Sequence, residues 1–282
     1  MSDLIDAIIQ TRKTTADIFV RSLVDIDNLS EIEIKERILS EIKNHNEIFP
    51  TGWYDPPPSG VCVLLTQKPF KRLQFDTLRK PEYWPNETSR FEKETVGIVY
   101  FSPVDRETNM IGDLGFTIYN GENKEIKKHI KDCYDTILSI AKHAEIGVKF
   151  SELCSFTEKL FHNKLKIIKW ITLYSDPSRT NDINLGHTVP GSFEKNFYFG
   201  NTFKEIKETI RTNRVFINEA GNFIIPETCA FTIEARMIDV KKEYLPGVYF
   251  HFIVCFNKGK KTILDNFSDI FKAVGMDYMN SK

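Results

Sequence analysis

Three segments in which apolar and polar side chains alternate constrain the fold of this 282-residue chain more than any other feature. They cover residues 111–119, 231–238 and 248–256. Because successive side chains of a β-strand point to opposite faces, each segment predicts a strand with one face packed against helices and the other in a second environment. That second face carries one ionisable group per strand: Asp113, Glu234 and His251. If the three strands share a sheet, these groups can converge.

Helical periodicity fills much of the remaining sequence. Apolar residues at helical spacing predict a helix at the N-terminus, and Ser30-x-x-Glu33 is a capping box that begins a second one. Asn123 caps a third helix that ends near Gly147, and further helices are predicted from Ser151 and over 203–212. Residues 51–60, with three successive prolines, predict a turn before a strand at 61–66. Linker signals are weak, so we expect one domain over residues 1–282 without a separate N-terminal domain.

Composition narrows the class of protein. The 38 Lys and Arg residues nearly balance the 39 Asp and Glu residues, which argues against a broadly basic nucleic-acid binder. Five scattered cysteines without a Cys-x-x-Cys pair indicate a reducing compartment. The N-terminus lacks the pattern of a signal peptide, and the longest apolar runs are far shorter than the ~20 residues that span a bilayer. We therefore expect a soluble, cytoplasmic protein that binds neither nucleic acid nor membrane.

A histidine in a glycine-containing segment adds a fourth ionisable group. The sequence Asn-Leu-Gly-His-Thr-Val-Pro-Gly occupies 184–191, between the strand that carries Asp113 and the Phe-Thr-Ile-Glu at 231–234. This order resembles the M24 or pita-bread family, which includes methionine aminopeptidase, Xaa-Pro aminopeptidase and creatinase. Gly-x-x-Phe-Ser-Glu-Leu at 147–153 resembles the helix-to-helix joint of that family. The resemblance covers nearly the whole chain and implies an α+β fold: a single pita-bread domain with a curved, mostly antiparallel sheet flanked by helices.

The resemblance also implies a set of metal ligands. Family peptidases hold two metal ions with two Asp, one His and two Glu. Carried over by position, the second Asp falls on Asp113, the His on His187 and the first Glu on Glu234. The first Asp position holds Ser102, and the last Glu position holds His251. The loss of the first Asp implies the loss of one ion.

We therefore expect the four remaining groups, Asp113, His187, Glu234 and His251, to bind one divalent transition metal. Mixed nitrogen and oxygen ligands favour Fe(II), Mn, Co or Zn over Ca or Mg. Taken singly, each of these residues is more often structural than a ligand, and only their combined order and spacing favours a site. A relative that kept the fold and lost the metal is the alternative, and creatinase, which resembles this fold, works without one.

The other four histidines, His45, His129, His143 and His162, are expected on solvated helix faces. Family peptidases use accessory histidines in the loop after the first strand and shortly after the Gly-His segment. Neither stretch of this sequence contains one, which argues against proline- or methionine-specific peptidase chemistry.

Three functions remain open. The first is a mononuclear metal-dependent hydrolase that cleaves a C–N bond of a small molecule or short peptide, with Glu234 and Arg236 as catalytic candidates. Arg236 either holds a substrate carboxylate or pairs with Glu234 or Asp113. The second is an Fe(II) enzyme that activates O2, and the third is a non-catalytic scaffold. Residues 64–86 and the insertion after His187, including 192–215, are expected to shape the pocket, while the substrate and a homodimeric state stay open.

Overall fold

The chain folds into helices packed on antiparallel sheets. The computed structural model describes residues 2–75, 77–161, 169–170, 184–239 and 241–281. The helices in these ranges are α1 (Ser2–Ser22), α2 (Glu31–Ile42), α3 (Lys124–His143), α4 (Phe150–Leu160), α5 (Phe203–Thr212) and α6 (Ser268–Ala273). The strands are β1 (Val61–Thr66), β2 (Thr95–Phe101), β3 (Leu114–Asn120), β4 (Lys169–Trp170), β5 (Cys229–Ile233), β6 (Arg236–Ile238), β7 (Val248–Tyr249), β8 (Phe252–Asn257) and β9 (Lys260–Leu264). The predicted α+β class is confirmed.

The helix boundaries follow local capping chemistry. The predicted capping box forms, because the Ser30 hydroxyl accepts the Glu33 N–H and the Glu33 carboxylate accepts the Ser30 N–H. The Asn123 side chain caps α3 in the same way by accepting two backbone N–H groups. Both helices therefore begin where the sequence predicts.

Two of the predicted strands are interrupted at the candidate site residues. Glu234 and Ala235 separate β5 from β6, and Phe250 and His251 separate β7 from β8. The pairing register nevertheless continues across both breaks: Ile233 pairs with Phe252 on one side, and Arg236 pairs with Tyr249 on the other. Glu234 therefore lies opposite His251, and facing residues of an antiparallel pair project to the same side of the sheet.

The first sheet joins these strands next to the break. β1, β2 and β3 form an antiparallel meander, and an isolated bridge pairs Phe116 of β3 with Phe250. The His251 N–H donates to the Gly115 carbonyl at 2.9 Å. The predicted strand 111–119 begins only at Leu114, so Asp113 is the residue just before β3. The sheet thus brings Asp113, Glu234 and His251 to adjoining strands.

The core is rich in phenylalanine and contains all five cysteines as free thiols. Phe250, Phe252, Phe267 and Phe271 surround Tyr134 of α3 at ring-centroid distances of 5.2 to 5.9 Å. In the part of the chain that the structure describes, no helix is both long and apolar enough to cross a membrane. The expectation of one domain over residues 1–282 stays a prediction.

One expectation about the histidines is wrong. His129 is buried, and its Nε2 lies 3.1 Å from the Pro246 carbonyl. It borders the apolar stripe of α3, one turn before Cys133. His143 is exposed as expected, His45 is half-buried in the turn after α2, and His162 lies outside the described residues.

Candidate metal centre

Glu234 lies at the centre of the candidate site. The Thr232 hydroxyl donates to Glu234 Oε1 at 3.2 Å, and the Tyr249 hydroxyl donates to Glu234 Oε2 at 3.4 Å. Burial raises the pKa of Glu234, while the positive charge of Arg214 and these hydrogen bonds oppose the increase. The carboxylate is thus oriented by hydroxyl donors on its own strand and on the facing strand.

His187 reaches Glu234 from a segment that pairs with β5. The Thr232 N–H donates to the His187 carbonyl at 2.8 Å, and the His187 N–H donates to the Thr232 hydroxyl at 3.0 Å. His187 Nδ1 lies 2.9 Å from the Thr188 carbonyl, which assigns the proton of the neutral imidazole to Nδ1. The unprotonated Nε2 lies 3.5 Å from Glu234 Oε1. Burial lowers the pKa of His187 well below its ordinary value, and Arg214 lowers it further.

The glycine before His187 is required by the close approach of two backbones. A Cβ atom at Gly186 would overlap the Thr232 carbonyl oxygen, which is backbone and cannot turn aside. We expect Gly186→Ala to destabilise the fold by about 1–3 kcal/mol, because the His187 segment must move away from β5. Urea unfolding measures this effect. Gly147→Ala is the control, because a Cβ there meets no atom within 4 Å although its φ of +86° is unfavourable. Equal losses in the two variants would contradict the prediction.

His251 faces Glu234 from the opposite strand. Its Nε2 lies 3.8 Å from Glu234 Oε2, so the two imidazoles approach different oxygens of one carboxylate. His251 is fully buried, and within the described residues neither of its ring nitrogens has a hydrogen-bond partner. Burial lowers the pKa of His251 well below its ordinary value, with smaller contributions from Arg12 and His187. Two buried nitrogens without partners are unusual in a folded protein and need an explanation.

Asp113 is held by two aromatic donors that the sequence patterns did not identify. Trp53 Nε1 donates to Asp113 Oδ1 at 2.8 Å and to Oδ2 at 3.1 Å, and the Tyr100 hydroxyl donates to Oδ2 at 3.0 Å. Burial raises the pKa of Asp113 to about 7, against the lowering effect of these hydrogen bonds. Gly115 makes room for this arrangement, because a Cβ there would overlap the rings of Tyr249 and Tyr100.

Ser102, at the position of the first family Asp, has a structural role. Its hydroxyl accepts the Tyr54 N–H at 3.0 Å and donates to the Gly60 carbonyl at 3.4 Å. It therefore fixes the turn at residues 51–60, which carries Trp53 to Asp113.

The structure brings three of the four predicted ligands into direct proximity: His187, Glu234 and His251. Asp113 is linked to this group through Tyr100, whose hydroxyl donates to Asp113 and whose ring lies 6.2 Å from the ring of His251. Within the described ranges, however, no three His, Cys, Asp or Glu side chains are arranged so that they could hold one ion. Binding of a metal by all four residues stays a prediction.

Two arginines flank the site. Arg236 donates to the Phe75 carbonyl at 2.6 Å and lies 4.2 Å above the Phe75 ring. Arg214, which the sequence patterns did not single out, lies 4.9 Å from the Trp53 ring and 5.2 Å from the Phe216 ring. Both rings also contact His187, at centroid distances of 6.1 Å. Positive charge thus borders the three converging side chains.

Comparison of structures defines the fold class. No family model matches the sequence, and no curated protein matches it. Solved structures do match, and they define the chain as an α+β pita-bread fold.

Among the matching structures is X-Pro aminopeptidase from Thermotoga maritima, at a TM-score of 0.62 and 14% identity over 94% of this chain and 61% of that one. The prolidase of Pyrococcus horikoshii gives 0.63 at 12% identity, covering 94% and 62%. An Escherichia coli aminopeptidase P variant in complex with substrate gives 0.63 at 11% identity, covering 98% and 58%. This chain therefore spans about three fifths of the length of these structures, and the likeness establishes the fold alone.

Proposed function

We propose that this chain is a metal-dependent hydrolase that cleaves a C–N bond in a small molecule or short peptide. One divalent transition metal (Fe, Mn, Co or Zn) would be held by His187, Glu234 and His251 after their side chains move closer together, because the described residues contain no group of three such side chains already arranged to hold an ion. The observation that carries the proposal is the approach of two neutral imidazole nitrogens to the two oxygens of Glu234, at 3.5 and 3.8 Å. Donor atoms that share one ion at about 2.1 Å lie at comparable distances from each other.

The chemistry of the donor atoms fits such an ion. His251 has two buried ring nitrogens without hydrogen-bond partners among the described residues. His187 is fixed by the Thr188 carbonyl with its Nε2 lone pair directed at Glu234, as is usual for a histidine ligand. Low pKa values keep both imidazoles neutral, the form that binds metals. A bound cation would polarise the carbonyl group of the substrate.

The remaining residues supply proton transfer and charge recognition. Burial raises the pKa of Asp113 to about 7 in the metal-free protein, and a bound cation would lower it, so the carboxylate would be ionised and able to act as a general base. Because Trp53 and Tyr100 already donate to its oxygens, we assign Asp113 to proton transfer in preference to metal binding. Arg236 lies two residues after Glu234, on the same face of the strand. With Arg214 it would attract an anionic group of the substrate.

The same geometry favours one second candidate. If Asp113 is not a ligand, the set that remains is two histidines and one carboxylate, which is the donor set of non-haem Fe(II) oxygenases. An Fe(II) enzyme that activates O2 is therefore the alternative on this fold.

Metal binding is the experiment that tests the proposal. Protein purified without chelators is expected to contain about one equivalent of a transition metal by elemental analysis. Removal of a ligand should weaken Co²⁺ binding by at least about 100-fold in His251→Ala, measured by titration calorimetry. His143→Ala, which changes an exposed histidine, is the control and should bind like the wild type. If the wild-type protein contains no metal and binds none of Mn²⁺, Co²⁺, Zn²⁺ and Fe²⁺, the proposal fails. The non-catalytic scaffold would then be the remaining candidate of the three functions.

Oxygen consumption distinguishes the two candidate activities, hydrolase and Fe(II) oxygenase. A hydrolase is expected to cleave members of a panel of dipeptides and small amides with Co²⁺, Mn²⁺ or Zn²⁺ in the absence of air. An oxygenase would require Fe²⁺ and would consume O2.

A further inference from the structure

A buried arginine connects two of the candidate site residues through their backbones. Arg12, in the middle of α1, is fully buried. Its Nη1 donates to the Asp113 carbonyl, and its Nη2 donates to the His251 carbonyl at 2.6 Å. The same Nη2 contacts the carbonyls of Leu264 at 3.4 Å and Asp265 at 3.1 Å. One guanidinium group therefore contacts three separate segments of the chain.

The position of these carbonyls in the sheet explains why they need hydrogen-bond donors from a side chain. Up to Phe250, the long strand that carries His251 is bridged to β3 through Phe116. From Ile253 onward its neighbour on that side is β9, beginning with the Ile253–Leu264 pair. His251 lies at the fork where one neighbour replaces the other. Buried carbonyls at such a fork need donors that the strand ladder does not supply, and a guanidinium group offers five N–H donors in a plane.

Helix α1 is positioned so that the Arg12 side chain reaches these carbonyls. A Cβ atom at Gly112 would overlap the backbone of Thr11 and Arg12, so α1 packs directly against the residue before Asp113. The Arg12 guanidinium also lies 5.3 Å from the Phe267 ring. Burial lowers the pKa of Arg12 only to about 9, so the side chain remains charged at neutral pH. Arg12 Nε has no hydrogen-bond partner within the described residues.

We propose that Arg12 is a positioning residue that sets the spacing between Asp113 and His251 by binding both backbone carbonyls at the strand fork. The consequence for metal binding rests on the proposed function. A residue that orients ligands from behind typically changes metal affinity by about 10- to 100-fold when it is replaced.

The test compares Arg12→Lys with the wild-type protein by hydrogen exchange and by Co²⁺ titration. A lysine keeps the charge but cannot span the two carbonyls with a rigid planar group. We expect faster exchange at the His251 amide, which donates to Gly115, and no change in the amides that pair β1 with β2. We also expect Co²⁺ affinity to fall by about 10- to 100-fold. Arg37→Lys is the matched control, because Arg37 also donates to two backbone carbonyls, those of Val24 and Asp25, in a different part of the fold.

The outcomes distinguish this proposal from the proposed function. Unchanged exchange at His251, or a uniform increase over the whole chain, would overturn the positioning role. So would Co²⁺ affinity equal to that of a metal-binding wild type. If the wild-type protein binds none of Mn²⁺, Co²⁺, Zn²⁺ and Fe²⁺, the proposed function fails, and exchange at His251 alone decides the role of Arg12. Arg12→Gln is the second variant if the lysine variant does not fold. Failure of both to fold would make Arg12 a determinant of the whole fold and overturn the proposal.

Discussion

Replacement of Glu31 by alanine is expected to lower the free energy of unfolding by about 3–5 kcal/mol, because it leaves several donors without their shared acceptor and Arg72 without its counter-charge. Glu31 is the first residue of α2, and its side chain is fully buried. It accepts hydrogen bonds from both terminal nitrogens of Arg72, from the Leu65 N–H at 2.5 Å, and from the backbone and side chain of Asn86 at 2.9 and 2.6 Å. Alanine would remove the acceptor for all of them.

The matched control lies two residues further along the same helix. Glu33 is half exposed, completes the capping box and pairs with Arg90 at 3.2 Å. Glu33→Ala should therefore cost at most about 1 kcal/mol. Both variants are measured by urea unfolding at neutral pH. A loss in Glu31→Ala no larger than that in Glu33→Ala would show that the buried network contributes little.

The network around Glu31 also bears on the candidate site. Arg72 donates to the Leu65 carbonyl and the Ser89 hydroxyl, so it connects the segment between β1 and β2 to the first sheet and to α2. The same segment contains Phe75, whose carbonyl and ring contact Arg236. Loss of Glu31 is thus expected to disturb Arg236 although the two residues lie in different parts of the fold.

Strand periodicity predicted the convergence of Glu234 and His251 because the alternation of side chains survives a break in the hydrogen-bond ladder. The sequence pattern predicted two continuous strands, and the structure divides each of them at the site residue. The register is unaffected, so the two residues still face each other. Local patterns therefore predicted which face a residue occupies, but not where the ladder stops.

Partners that are distant in sequence could not be predicted in this way. Trp53, Tyr100 and Arg12 reach Asp113 from a turn, a different strand and a helix. Nothing in their immediate sequence marks them, since an aromatic residue in a strand or an arginine in a helix is ordinary. The error at His129 has the same origin: the position borders an apolar stripe, and the acceptor that permits burial, the Pro246 carbonyl, is 117 residues away.

Burial of Asp113 is expected to contribute a loss of stability in the metal-free protein as pH rises from about 4 to 7, whereas the buried neutral His187 and His251 contribute with the opposite sign. The pKa of this carboxyl group is raised from 3.8 to about 7 by burial, so between these values the folded state holds a proton that the unfolded state has lost. Each pH unit in this window should then lower the contribution of Asp113 to the free energy of unfolding by about 1.4 kcal/mol, with this contribution fully present below about pH 4 and lost above about pH 7. Asparagine cannot ionise but can still accept a hydrogen bond from the Trp53 N–H. Asp113→Asn should therefore remove the contribution of Asp113 to the pH dependence of the free energy of unfolding.

Urea unfolding of Asp113→Asn and wild type across pH 4 to 8 measures the effect as the difference between the two profiles. EDTA is present throughout, because a bound cation would favour the ionised carboxylate and mask the proton. The free energy of unfolding of Asp113→Asn, measured relative to that of the wild type, is expected to increase by about 4 kcal/mol from pH 4 to pH 7. The reason is that the variant replaces a carboxylate, which is buried and ionised at high pH, with a neutral amide. Asp132→Asn is the control. It removes a carboxylate that pairs with Lys128 on α3, and it measures how the loss of a less buried charge changes the pH profile. Parallel profiles for Asp113→Asn and wild type would mean that Asp113 ionises as easily in the folded chain as in the unfolded one, and would contradict the prediction.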